Sequence, residues 1–176
     1  MILLSLLFII TYWNNILPPT NDLISPFVLL SIASYGNNYY LIIAVLIDTF
    51  ADYVMNSKDL RFPIFLFSVG HIVKQIPFLI FFNNLLIFYF SLLLLLILIY
   101  HIRTMKYIHS DIVTMLAYYA AILVLTVVQI QNIGYIFFII SDLLILIDMI
   151  GNVPRKLRVL GVPILFWIAE YLIVTI

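Results

Sequence analysis

Two aspartates stand four residues apart in an apolar stretch, Asp48 and Asp52 within residues 40–55. Residues at this spacing lie on one face of a helix, so the two carboxyl groups point the same way. A carboxyl group is costly inside a bilayer, where it usually faces a bundle interior or a wet cavity. Positioned acids of this kind can give or accept protons during catalysis. This face is therefore the first candidate site.

Polar side chains also occur inside the apolar segments that follow. Counted from the basic end of each segment at about 1.5 Å per residue, four side chains lie roughly 10 to 15 Å deep and Glu170 lies slightly deeper. The four are Asp48, His71, Tyr118 and Asp142. Asp142 is the most informative, since it is deep and has no basic neighbour in sequence. Four or five helices can thus present polar groups at one level.

Some of these residues also have purely structural interpretations. Asp52 lies within one or two turns of the basic end of its segment, where water or Lys58 can neutralise it. Asp48 can be held by an interhelical hydrogen bond to Lys74. Lys74 follows His71 by three residues and shares its face, and neutralising an acid is its expected role. Structural and functional interpretations both stay open for these residues.

The composition indicates which class of protein must position these groups. Of the 176 residues, 66% are hydrophobic and 9% are charged, whereas a soluble domain has about half and a quarter. Eight basic and eight acidic residues give no net charge, so nothing indicates binding to nucleic acid. The absence of Cys excludes thiolate ligands, and His71 has no partner at a metal-ligand spacing. We predict a polytopic membrane protein without a metal site.

Breaks at Asn, Pro, Gly and charged residues divide the chain into about eight apolar segments. They lie near residues 2–17, 23–35, 39–55, 62–82, 85–102, 111–130, 133–150 and 159–176. The second segment is the shortest and follows Pro18 and Pro19. The loops between segments are too short for a soluble domain. The predicted fold is all-α, a single transmembrane domain over residues 1–176 with about eight spans.

The basic residues of the loops all fall on one predicted side of this bundle. They follow the third, fifth and seventh segments, and they are Lys58, Arg61, Arg103, Lys106, Arg155, Lys156 and Arg158. By the positive-inside rule this side is cytoplasmic, and eight spans place both termini on the far side. If the second segment does not cross, the N-terminus moves to the cytoplasmic side. We predict a multi-pass integral membrane protein, of the inner membrane if the source is bacterial.

Four short motifs in these segments have counterparts in a known family. They are LIDTFADYVM at residues 46–55, FSVGH at 67–71, GYIFFIISD at 134–142 with Tyr118 upstream, and FWIAE at 166–170. Together they resemble the YhhN family of eight-span membrane proteins, from about Pro26 to the C-terminus. The chain departs from the family pattern at positions 48, 51, 74, 166 and 170, where it has Asp, Ala, Lys, Phe and Glu.

The characterised members of that family are lysoplasmalogenases, which cleave the vinyl ether of a lysoplasmalogen to a fatty aldehyde and a glycerophospho head group. The resemblance implies that Asp52 and Asp142 are catalytic. One would be protonated as the acid and the other ionised as the base. Asp142 is the candidate acid because it is deep, and the reverse assignment stays open. The residues expected to position substrate or water are His71, Tyr118, Glu170 and Asp48. The implied partners are a lysophospholipid and membrane lipid, and no cofactor is expected.

Two functions of other classes also fit the polar set. A small proton- or ion-coupled transporter also places acids and a Lys at mid-membrane, and Gly70 and Pro77 are compatible with the broken helices of transporters. A non-catalytic membrane protein is the third possibility. Replacing Asp142 by Asn separates the three, because it would abolish lipid cleavage, alter solute flux or change only stability.

Overall fold

The computed structural model describes residues 28–55, 59–104, 109–149 and 161–175, and within these ranges the chain is helical without any β-strand. The helices are α1 (described over residues 28–33), α2 (Tyr39–Val54), α3 (Arg61–Gln75), α4 (Phe82–Thr104), α5 (His109–Ile130), α6 (Gly134–Met149) and α7 (Val162–Thr175). The predicted all-α class is confirmed for this part of the chain. The predicted segment 2–17 and the start of 23–35 lie outside the described residues.

The predicted segment 62–82 is not one continuous helix. Pro77 has no backbone N–H, and α3 ends at Gln75 in a 3₁₀ turn over Ile76–Phe78. The Ile76 N–H donates to the carbonyl of Val73. The carbonyl of Gln75 accepts instead from the side-chain amide of Gln129, at 3.1 Å. The carbonyl groups at the end of α3 are therefore satisfied by one hydrogen bond from the 3₁₀ turn and one from α5.

Successive helices from α2 to α7 alternate in direction. α6 and α7 are antiparallel, because Ser141 pairs with Val162 near one end and Asn132 with Leu172 near the other. α3, α5 and α7 run the same way, as the pairs Phe67–Phe166, Lys74–Glu170, His71–Tyr119 and Gln75–Thr126 show. Arg61 begins α3 and Arg103 lies in the last turn of α4, so both arginines lie at one end of the bundle.

α3 is the central helix of the described bundle. It packs against α2, α4 and α5, and its side chains also reach α6 and α7. Its polar residues Ser68, His71, Lys74 and Gln75 are all fully buried. Buried polar groups need hydrogen-bond partners inside the protein, so α3 must be matched by polar groups on its neighbours. Gln75 shows this, since its amide donates to Ser91 of α4 and Thr126 of α5.

Two helices of the described chain are long and apolar enough to cross a membrane. They are Asn83–Thr104 and Asp111–Ile130, and shorter apolar helices cover Gly134–Ile145 and Val162–Thr175. Only 11% of the apolar window in α4 and 22% of that in α5 are buried inside the protein. The core helix of a soluble protein would be buried by its neighbours, whereas most residues of these helices are at least partly exposed. Their length and composition thus indicate a membrane protein.

Candidate functional site

Three polar side chains from α3, α5 and α6 form a hydrogen-bonded chain in the bundle. Tyr119 Oη donates to Asp142 Oδ2 at 2.9 Å and lies 3.3 Å from His71 Nε2. A tyrosine hydroxyl has one hydrogen, so His71 must donate its Nε2–H to Tyr119 when Tyr119 donates to Asp142. We assign this tautomer, which leaves Nδ1 as an acceptor; Nδ1 is buried and has no hydrogen-bond partner. The hydrogen bonds therefore connect the imidazole of His71, through Tyr119, to the carboxyl group of Asp142.

Asp142 and Tyr119 lie in the wall of a cavity of about 280 Å³ that Asp52 also lines. The wall is otherwise mainly apolar and is built by α2, α3, α5, α6 and α7. α5 and α6 are not closely packed in the described bundle, and the cavity lies between them. Val124 of α5 and Leu143 of α6 line it and are about half exposed, at 55% and 50%. The cavity therefore opens sideways, toward the outer surface of the bundle.

Aromatic rings hold His71 beside this cavity. The Phe138 ring meets the imidazole edge to face, with centroids 4.8 Å apart. Phe138 in turn packs against Phe166 at 5.1 Å, and Phe166 packs against Phe67 at 5.8 Å. All three phenylalanines line the cavity. Edge-to-face packing of this kind stabilises a fixed ring orientation, so the His71–Tyr119 contact lies in rigid surroundings.

A buried ion triad also lies next to Phe138. Lys74 Nζ lies 2.7 Å from Asp48 Oδ2 and 2.5 Å from Glu170 Oε1, and all three side chains have no exposure to solvent. The ammonium group is also 5.2 Å from the centroid of Phe138. Asp48 and Glu170 do not line the cavity, although we expected them to position substrate or water. The hydrogen bond from Lys74 to Asp48 is the one that the structural interpretation anticipated.

Gly70 allows α2 and α3 to approach each other at this triad. A Cβ atom added at Gly70 would lie 2.1 Å from Asp48 Oδ1, far inside van der Waals contact. No larger residue fits there unless the Asp48 carboxyl moves, and that carboxyl is held by Lys74. Gly70 and the ion pair therefore depend on each other: the close approach of α2 and α3 at Gly70 brings Asp48 within hydrogen-bonding distance of Lys74.

The structure places three of the six predicted site residues at or beside the cavity, and the other three, Tyr118, Asp48 and Glu170, do not line it. Asp52, Asp142 and His71 are at or beside the cavity, whereas Tyr118 is not among the residues that line it. The Tyr118 ring instead meets His101 of α4, with centroids 6.1 Å apart. Tyr119 occupies the position expected for Tyr118, since successive helical residues point about 100° apart.

The sequence offered conflicting signals for this tyrosine. Gln129 stands eleven residues after Tyr118, three full turns, which favours Tyr118 as the inward residue. Thr126 stands seven residues after Tyr119, two turns, which favours Tyr119. In the structure both Thr126 and Gln129 are buried and contact Gln75, because its side-chain amide donates to Thr126 and its backbone carbonyl accepts from Gln129. The pattern of α5 alone therefore does not decide between the two tyrosines.

Comparison with known protein families, with curated proteins and with solved structures finds no match for this chain.

Proposed function

We propose that this protein is a multi-pass membrane hydrolase that cleaves the vinyl ether bond of lysoplasmalogens. The products are a fatty aldehyde and a glycerophospho head group. The observation that carries the proposal is the shared cavity of Asp52 and Asp142, in which a hydrogen-bonded Tyr119–His71 pair supports Asp142. Two acids on an apolar cavity suit acid–base cleavage of a lipid bond, since one can give a proton and the other can accept one.

In the proposed arrangement the bundle crosses the membrane with about eight spans and its basic loops face the cytoplasm. The alternating directions of α2 to α7 support this topology, as does the position of Arg61 and Arg103 at the same end. The apolar surfaces of α4 and α5 would face lipid. The opening between α5 and α6 would then admit a single-chain lipid from the bilayer, with its head group toward the basic end.

The first proposed step is protonation of the vinyl carbon that is not bonded to oxygen. Asp142 gives the proton, and the electron pair of the double bond forms the new C–H bond. The neighbouring carbon and the ether oxygen then share a positive charge as an oxocarbenium ion. Because Tyr119 donates to Oδ2, the other oxygen of Asp142 is the one that carries the transferable proton. Tyr119 and His71 act as positioning residues for that oxygen.

The second proposed step is attack by water on the charged carbon. Asp52 accepts a proton from the attacking water, and the water oxygen bonds to the charged carbon, which gives a hemiacetal. The hemiacetal then collapses to the aldehyde: its hydroxyl proton passes to the Asp142 carboxylate, the bond to the glycerol oxygen breaks, and that oxygen takes the proton that Asp52 accepted. The net reaction consumes one water and regenerates both acids. The reverse assignment of Asp52 and Asp142 moves the same protons between the same atoms, with the two roles exchanged.

The test is aldehyde release by the purified protein from lysolipids that differ only in the bond to the chain. We expect release from the vinyl ether and none from the alkyl ether. Asp142→Asn and Asp52→Asn should each abolish release from a folded protein. Asp59→Asn is the matched control: Asp59 lies outside the cavity, and the hydrogen bonds from Arg61 hold its pKa below the usual range. A well-folded wild type that releases no aldehyde would refute the hydrolase.

A proton-coupled transporter is the second candidate, because a buried lysine and two acids join α3 to α2 and α7. The 3₁₀ interruption after Gln75 resembles the broken helices near transporter sites. Under this function, Asp142→Asn would change solute flux into vesicles or its pH dependence, and no lipid would be cleaved. Measuring flux and aldehyde release on the same variants separates the two functions.

A further inference from the structure

The ion triad has an unbalanced charge. Asp48 and Glu170 are both acidic, Lys74 is the single base among the described residues that contacts them, and all three are fully buried. With every group ionised the triad has a net charge of about −1 by simple addition of unit charges. An uncompensated charge in a low-dielectric interior is strongly unfavourable, and the interior of a membrane protein offers no water to screen it. Something must neutralise this charge.

The free hydrogen-bonding capacity of the triad shows where the missing group belongs. Each acid uses one oxygen for Lys74, and the second oxygens, Asp48 Oδ1 and Glu170 Oε2, are buried without a partner. The hydroxyl of Tyr135 is also buried without a partner, and it lies within electrostatic reach of Lys74, Glu170 and Asp48. The carboxyl groups of Asp48 and Glu170 are themselves close enough to interact directly. Three unsatisfied oxygens thus surround one excess negative charge.

We propose that the triad is a proton-binding site, in which Asp48 and Glu170 share one proton while Lys74 stays charged. The proton makes the net charge zero and converts one carboxyl into a donor, which gives the unpaired oxygens a partner. This inference does not depend on the hydrolase proposal, because none of the three residues lines the cavity.

A proton fits the site better than a metal cation does. Lys74 Nζ already lies between the two carboxyls, and a second cation would be placed close to its charge. The described residues contain no group of three side chains that could hold a metal ion. A proton needs only the two oxygens that are already present. It also requires no space, which matters beside Gly70, where Asp48 is tightly packed.

Other titratable groups face the triad and compete for the proton. Those on the neighbouring helices are His71 on α3, Tyr119 on α5, and Tyr135 and Asp142 on α6. His71 lies near the charged Lys74, and a second positive charge there is disfavoured. Asp142 has its own hydrogen bond from Tyr119 and lies in the cavity wall. A protonated Asp142 would give a similar signal, so the test must distinguish the two sites.

The experiment is infrared spectroscopy of the full-length protein in lipid at neutral pH, with hydrogen–deuterium exchange to identify the C=O stretch of protonated carboxyl groups. We expect the wild type to show this band. Asp48→Asn and Glu170→Gln should each lose a component that corresponds to one carboxyl per molecule, because one remaining acid exactly balances Lys74 and no longer needs a proton. Asp142→Asn should keep this component.

Three results would overturn the proposal. A wild type without a protonated carboxyl band excludes a stored proton, and this result needs no variant. A component that persists in either Asp48→Asn or Glu170→Gln shows that the proton is not shared. A band that disappears completely in Asp142→Asn places the proton in the cavity instead. Both amide variants keep the shape and hydrogen bonds of a protonated acid, so we expect them to fold, which size-exclusion profiles and helical circular dichroism check.

Discussion

Replacing Lys74 by Met tests whether the triad holds α3 to α2 and α7. The substitution keeps most of the apolar stem but removes the ammonium group that donates to Asp48 and Glu170, both without solvent exposure. Removing one partner of a buried ion pair costs about 3–5 kcal/mol, because the remaining charge is left uncompensated. Two acids lose their partner here, so we expect a loss of at least about 3 kcal/mol, which is roughly a hundredfold change in the unfolding equilibrium.

The assay is reversible unfolding in mixed micelles by a denaturing detergent, followed by the fluorescence of Trp167. Trp167 lies on α7 and is 8% exposed, and Trp13→Phe makes it the sole tryptophan. Asp48→Asn is the matched control, because it leaves Lys74 paired with Glu170. It should lower the free energy of unfolding by less than about 1.5 kcal/mol, since an uncharged hydrogen-bond acceptor replaces a charged one. A Lys74→Met protein that loses less than its control would refute the structural role of the triad.

Three further predictions concern the site and the packing of α3. Tyr119→Phe removes the hydrogen bond to Asp142 and should lower the rate of aldehyde release about ten- to hundredfold. The control Tyr118→Phe should leave the rate unchanged, because Tyr118 contacts His101 instead. Equal effects of the two substitutions would contradict the assignment of Tyr119. Gly70→Ala places a methyl group against Asp48 and should lower the free energy of unfolding by about 1–3 kcal/mol. If the loss is the same in an Asp48→Ala background, the clash with Asp48 is not its cause. Gln75→Leu removes the donor to Ser91 and Thr126 and should destabilise by about 1–3 kcal/mol; a neutral result would show that this network does not secure the end of α3.

Hydrophobic run length predicted the helices well, because long apolar stretches between Asn, Pro and Gly have few other stable forms. The segments 39–55 and 133–150 became α2 (Tyr39–Val54) and α6 (Gly134–Met149). The end of α3 was harder to place, since the residues around Pro77 are as apolar as those of the helix. The break depends on the missing N–H of Pro77 and on the donor that Gln129 supplies from another helix.

The partners of the polar residues were only partly predictable. Lys74 shares a face with His71 in sequence, and its contact with Asp48 was anticipated because a buried charge needs an opposite one. Its simultaneous contact with Glu170 depends on how α7 packs, which no local pattern encodes. The exchange of Tyr118 for Tyr119 has the same origin: a rotation of α5 by one residue position decides which ring faces Asp142.

If a cavity acid delivers a proton to the vinyl carbon, the reaction in D₂O must place deuterium on that carbon. A lysoplasmenyl lipid is incubated with the purified protein in D₂O, and the released aldehyde is analysed at once by mass spectrometry. We expect aldehyde with one deuterium on the carbon next to the carbonyl, and no aldehyde from folded Asp142→Asn. Aldehyde without deuterium, or release that persists in Asp142→Asn, would contradict this mechanism.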